Sequence, residues 1–176
     1  MMLTEENVRE EAVLALAKQI AVAARTAPKA KGCDNVEIVI LTGNDIEKLA
    51  TTMCEIADKE TGRASFKRDA DNCRKSQAVM LFGTKVESLG LNCRFCGFDT
   101  CEEKNKFPKI PCYFNANDLG LAIGSAVSKA ADYRLDNRVM YTIGYTALQM
   151  GLLPGCSVIL GVPLSVSGKS PFFDRK

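Results

Sequence analysis

Four of the eight cysteines in this chain fall between Asn92 and Cys112, in the run NCRFCGFDTCEEKNKFPKIPC. Cys93, Cys96, Cys101 and Cys112 are spaced C-x2-C-x4-C-x10-C, close enough for their sulfurs to converge on one point, as a thiolate-bound metal centre requires. The rest of the chain is organised around that stretch.

Histidine is absent. That removes the commonest general base, every mixed Cys/His zinc site and any Ser-His-Asp triad. Chemistry must be carried by a cofactor or by cysteine, carboxylate, lysine, tyrosine or arginine. The N-terminus, MMLTEENVREE, is acidic where a signal peptide is basic and then apolar. A cytoplasmic location is therefore expected, where thiols stay reduced and serve metals rather than disulfides. No apolar run reaches the ~20 residues of a membrane span. The net charge is only +2 and the lysines and arginines are scattered, so no nucleic-acid footprint is visible. With 176 residues, a single domain over residues 1–176 is expected, burying roughly two-thirds of its unfolded surface.

The flanking segments read as alternating helices and strands. Thr4 to Arg25 has an N-cap, Glu5 and Glu6 at the positive end of the dipole, and an apolar stripe of Val8, Ala12, Leu16, Ile20 and Ala23. Pro28 stops it within a basic loop, Arg25 to Gly32, that is either a solvated connector or an anion-facing turn. Val36 to Leu41 is a buried strand, and Asp45 is expected to cap a helix over 46–59 with Ile46, Leu49, Met53 and Ile56 inward. Cys54 reads as a core thiol. Arg63 to Ser76 shows no clear period and reads as an exposed or partner-facing segment.

Ala78 to Phe82 gives a second strand ended by Gly83. Asn117 or Asp118 is expected to start a helix to Tyr133, with Leu121, Val127 and Ala131 inward and Gly120, Ala122 and Gly124 at a close helix approach. A further helix covers 137–150, a strand covers Cys156 to Val162, and the tail is a basic loop. Three strands alternating with four helices predict an α/β or α+β sandwich.

Four cysteines without histidine leave an iron-sulfur cluster, zinc and free thiols open. All-cysteine zinc sites usually pair two CxxC knuckles, whereas one CxxC, then x4-C and a distant fourth cysteine, is ferredoxin-like spacing. Gly97 lets the backbone turn near a bulky group, and Pro111 precedes Cys112. Arg94, Lys104, Lys106 and Lys109 lie near enough in sequence to offset an anionic cluster.

Residues 93–103, CRFCGFDTCEE, resemble the CxxCGxxTCxE signature of the small [4Fe-4S] domain of corrinoid iron-sulfur proteins and ion-translocating electron-transport complexes. The gap to Cys112 is shorter than in that domain. The whole chain resembles a family of bacterial and archaeal proteins described only as containing a ferredoxin domain. Elsewhere, Ala23 to Ala50, Asp118 to Val139 and Gly155 to Lys169 are similar to nitroreductases, in which a helix leads through an APSxxN-type loop into a strand and helix. That resemblance implies a three-layer nitroreductase-like sandwich carrying the cluster loop 92–112. It also implies FMN bound near Arg25, Thr26, Ala27, Pro28, Lys29, Lys169 and Arg175, and a homodimer, with Phe172 and Phe173 suited to the contact. The nitroreductase Arg-Arg-Ser motif is missing, and Lys29 and Gly32 replace the loop's Ser and Asn.

Two functions follow. One is an FMN-dependent oxidoreductase whose [4Fe-4S] cluster relays electrons to or from the flavin and a small-molecule acceptor or redox partner protein. The other is a ferredoxin-like carrier, redox sensor or zinc-stapled protein without flavin. Tyr113, Tyr141 and Tyr145 are candidate proton donors, though tyrosines so placed are mostly structural.

Overall fold

The computed structural model describes residues 2–173. Helix α1 spans Glu5–Thr26, and the Thr4 hydroxyl accepts from the Asn7 amide as expected. Its buried stripe is Val13, Ala17, Ile20 and Ala24, so only Ile20 is shared with the expected face. Alanines ring this helix, and their small size gives little contrast between one face and the next.

Strand β1 (Val36–Leu41) leads into α2 (Asn44–Lys59), whose inner face is Ile46, Leu49, Ala50, Met53 and Ile56. The capping position is Gly43, at φ 50°, and Asp45 lies inside the first turn. Helix α3 occupies Ala64–Arg74, the stretch expected to be irregular. Phe66, Ala70 and Cys73 sit at i, i+4 and i+7 on its buried face, a helical period hidden by five intervening polar or charged residues. Phe66 is fully buried and meets Tyr145 edge-on at 5.7 Å and Tyr141 at 6.0 Å.

Strand β2 (Ala78–Lys85) runs through Gly83 rather than ending there. A side chain at Gly83 would meet Cys156 Sγ at 2.8 Å, so this glycine provides room rather than a turn. After the cysteine stretch, α5 (Tyr113–Asp132) begins directly behind Cys112. Asp118 is buried within it and accepts a hydrogen bond from the Ala30 amide at 2.9 Å. The buried face of α5 is Leu119, Ala122, Ile123, Ala126 and Ala130, while Leu121 is exposed and Gly120 and Gly124 face open space. A short strand β3 (Asp136–Asn137), helix α6 (Tyr141–Gln149) and strand β4 (Cys156–Ser165) complete the chain.

The sheet is antiparallel, in the order β1-β2-β4-β3. Alternation along the strands divides the interior in two. Val36, Ala78, Met80, Phe82, Val162 and Leu164 face α1 and α5. Leu41, Val79, Leu81, Cys156 and Ile159 face α2, α3 and α6. The result is the expected three-layer sandwich, with helices on both faces of one sheet. Each large side chain fully buried in it contributes about 1.5–3 kcal/mol. Phe172 belongs to the second of these cores, at 2% exposure, and only Phe173 is exposed, with Arg138 over its ring. No helix of the described residues is long and apolar enough to cross a membrane.

Candidate metal centre

The cysteine stretch leaves the sheet where β2 ends and re-enters the sandwich as α5. Its stem is tied by Asn115, a buried residue in the first turns of α5, whose Nδ2 donates to Lys85 O at 3.1 Å and to Glu87 O at 2.5 Å. Asn115 Oδ1 accepts from Asn35 Nδ2 at 3.1 Å, which ties the same stem to the entrance of β1. These bonds tie the start of α5, three residues after Cys112, to the end of β2 and the entrance of β1.

Just before and within the stretch the backbone is left-handed at Gly90, Asn92, Arg94 and Gly97. Two of these are not glycine, a conformation that costs about 1 kcal/mol or more for each. Asn92 is well suited to it, because a short amide side chain can bond locally. Its amide donates to Cys101 Sγ at 3.3 Å while its Oδ1 accepts from the Cys101 amide at 2.8 Å. The Asn92 amide, working against burial, is the main reason the Cys101 thiol is held below its ordinary range; the Ser88 hydroxyl and the Gly90 and Leu91 amides add to it. Cys101 opens the short helix α4 (Cys101–Asn105), which Thr100 caps by accepting from the Glu103 amide at 3.1 Å.

All four cysteines line one cavity, together with Leu89, Leu91, Phe98 and Phe114. Cys112 is buried and the other three are partly exposed. No group of three or more Cys, His, Asp or Glu side chains among the described residues is gathered as a metal-ion site; the thiols ring the cavity instead. The donor set, four sulfurs with one already favoured as thiolate, fits an iron-sulfur cluster.

The nitroreductase-like loop lies beside this cavity. Lys31, in a 3-10 turn at Ala30–Gly32, donates to Leu89 O at 2.9 Å. The other loop residues are engaged within the chain. Arg25 donates to Asp34 Oδ2 at 2.6 Å and to Val36 O at 2.7 Å. The Lys29 ammonium donates to the carbonyls of Ala24, Arg25 and Ala27, at 3.3, 3.1 and 2.6 Å. Thr26 Oγ1 donates to Ala23 O at 3.2 Å, Ala27 is buried and Pro28 exposed. Lys169 lies in the exposed tail, and Arg175 falls outside the described residues. Among the tyrosines, Tyr145 donates to Glu60 and sits under Arg63, far from the cysteine stretch in the fold, whereas Tyr113 packs edge-on to Phe95 at 5.2 Å. Asn92, Asn115 and the buried Lys104 were not singled out as a set by sequence. Asn92 flanks the first cysteine, but nothing local marks Asn115.

Comparison with known proteins agrees with the fold. A nitroreductase with bound FMN from Desulfitobacterium hafniense superposes with a TM-score of 0.61 at 11% identity, covering 96% of this chain and 81% of that one. A nitroreductase-like protein from Streptococcus mutans gives a TM-score of 0.57 at 17% identity, covering 93% and 83%. At these identities the likeness is one of fold. A protein from Archaeoglobus fulgidus, described as an uncharacterized protein, is 45% identical over 183 residues, covering 99% of this chain and 98% of the relative. The family model described as "uncharacterized protein containing a ferredoxin domain" matches residues 109–175, a span that includes Cys112 and not the other three cysteines of the cavity. The chain thus belongs to the family of uncharacterized proteins containing a ferredoxin domain (DUF2148) and has the nitroreductase fold.

Proposed function

We propose that this protein is an iron-sulfur redox protein in which Cys93, Cys96, Cys101 and Cys112 hold a [4Fe-4S] cluster. The observation that carries this is that all four thiols line one cavity, with a backbone amide donated to the sulfur of Cys101. The ferredoxin-domain description of the family and the redox enzymes sharing the fold support the same reading. Bound there, the cluster supplies one-electron transfer. The chain's part is to present four thiolates, to hold the Cys101 sulfur through the Asn92 amide, and to limit water with Leu89, Leu91, Phe98 and Phe114.

The fold favours FMN as electron partner, since solved proteins of this shape contain it. In the single chain the candidate loop does not fit that group well. The charged nitrogens of Arg25 and Lys29 already serve Asp34 and backbone carbonyls, so no step is assigned to a flavin here. A homodimer and an external redox partner or small-molecule acceptor complete the reading.

Anaerobic purification with iron and sulfide analysis and a visible spectrum tests it. About four iron atoms per chain with a broad iron-sulfur absorbance are expected, and Cys112→Ser should abolish most of both. Flavin bands beside that absorbance would establish the oxidoreductase form, and their absence the carrier form. A colourless, zinc-loaded protein would overturn the proposal.

A further inference from the structure

Of the cations near the cysteines, one is placed unlike the rest. Arg94 is largely exposed and pairs with Asp99 at 3.5 Å, and Lys106 and Lys109 are exposed. Lys104, on α4 one turn beyond Cys101, is 1% exposed and lines the cavity that the four thiols share. Its Nζ donates to Val86 O at 2.6 Å, and among the described residues it forms no ion pair with a carboxylate. Glu102 and Glu103, its neighbours on α4, are exposed.

An ammonium taken out of water is costly unless an opposite charge meets it, and a carbonyl dipole offsets only part of that cost. Lysines are almost never fully buried unless paired. An anion held in the cavity that Lys104 lines would meet that charge. The carbonyl bond fixes Lys104 Nζ on the stem side of the cavity that the residue lines, where a charge is weakly screened.

We propose that Lys104 is the counter-charge of the cysteine-bound centre and raises its reduction potential, so selecting which donors can reduce it. This rests on the cluster reading above. Taking one electron from a one-electron donor protein adds a negative charge to the pocket, with no bond made or broken and no proton required. A fixed positive charge favours the reduced state over the oxidised one by that added interaction. Lys104 is thus a positioning charge and not a ligand.

The test uses the full-length chain, purified anaerobically as wild type, Lys104→Met and Lys104→Arg, with a spectroelectrochemical midpoint and an iron count for each. Methionine keeps much of the apolar length and removes the charge. Its equilibrium constant for one-electron reduction should fall at least tenfold, a drop of about 59 mV for a one-electron couple, while arginine should stay close to wild type. An iron-loaded Lys104→Met with the wild-type midpoint would overturn the role. Wild type without iron would overturn the cluster reading and this role together, which separates the two failures.

A second measurement holds if Lys104→Met loads poorly. A counter-charge without its anion is a burden, so Lys104→Met should raise the melting temperature of the metal-free chain. The same variant should speed cluster loss to a chelator. A residue that merely packs would lower stability in both forms, and that result would also overturn the proposal.

Discussion

Glycine serves opposite ends in the sandwich and in the cysteine stretch. Where α6 crosses β4, a Cβ on Gly144 would lie 1.7 Å from Ile159 O, and one on Gly161 would lie 2.0 Å from Ile143 Cγ2. At the entrance to the cysteine stretch and inside it, Gly90 and Gly97 face open space and are left-handed, at φ 69° and 87°. The first pair removes bulk so that a helix can rest on a sheet. The second turns the backbone so that amides and thiols face inward. The sandwich is closed by burial of apolar faces, while the stretch is shaped by turns that bring its four thiols to the wall of one cavity.

The comparison makes its largest prediction in the sandwich. Gly144→Ala forces a methyl into a backbone carbonyl and should cost more than about 4 kcal/mol, seen as loss of soluble protein or of a cooperative urea transition. Phe66→Ala should cost about 3–5 kcal/mol, read from urea midpoints, because the ring is fully enclosed between α3 and α6. A loss below about 1 kcal/mol would mean that this core is looser than the structure shows.

Gly97→Ala should behave differently. Space is available, so the stability cost is that of the left-handed backbone, about 1 kcal/mol, but iron retention should fall by more than that cost suggests. Unchanged iron with unchanged stability would show that the turn at Gly97 does not shape the centre.

The smallest effect is a matter of pH. Burial, aided by Asp69, pushes the Cys73 thiol up from 9.0 to about 12. A group whose pKa is raised by folding contributes fully below its unfolded value and loses that contribution as pH climbs through the folded one. Wild type should therefore lose urea stability between about pH 9 and 12 more steeply than Cys73→Ala does. Cys73 should also resist alkylation at neutral pH, where exposed Cys33 reacts. Equal slopes for the two proteins would remove Cys73 from the account.

The layers and the clustering of four cysteines were readable in the sequence for physical reasons. Ile46, Leu49, Met53 and Ile56 are bulky residues at helical spacing against polar neighbours, so their face was unambiguous. The alanines of α1 and α5 gave no such contrast, and the buried face was displaced on both helices. In α3 the three buried apolar residues were outnumbered by charges, and length rather than period would have found the helix. The four thiols were identifiable because only a few residue types bind metals through sulfur. Asn115 was not, since its bonds to Lys85, Glu87 and Asn35 join segments that only the folded sheet brings together. Whether the stretch carries a cation on its surface or inside it was equally invisible, because Lys104 and Lys106 differ by burial and not by chemistry.

The strand order also sets a timetable. β4 is the last strand to be synthesised, yet it lies between β2 and β3 at the centre of the sheet. A chain leaving the ribosome presents Cys93 to Cys112 while β2 still has one open side and the cores are half built. Long-range pairing of this kind forms late and slowly. The whole cysteine stretch is thus made before β4, the strand that completes the sheet beside β2.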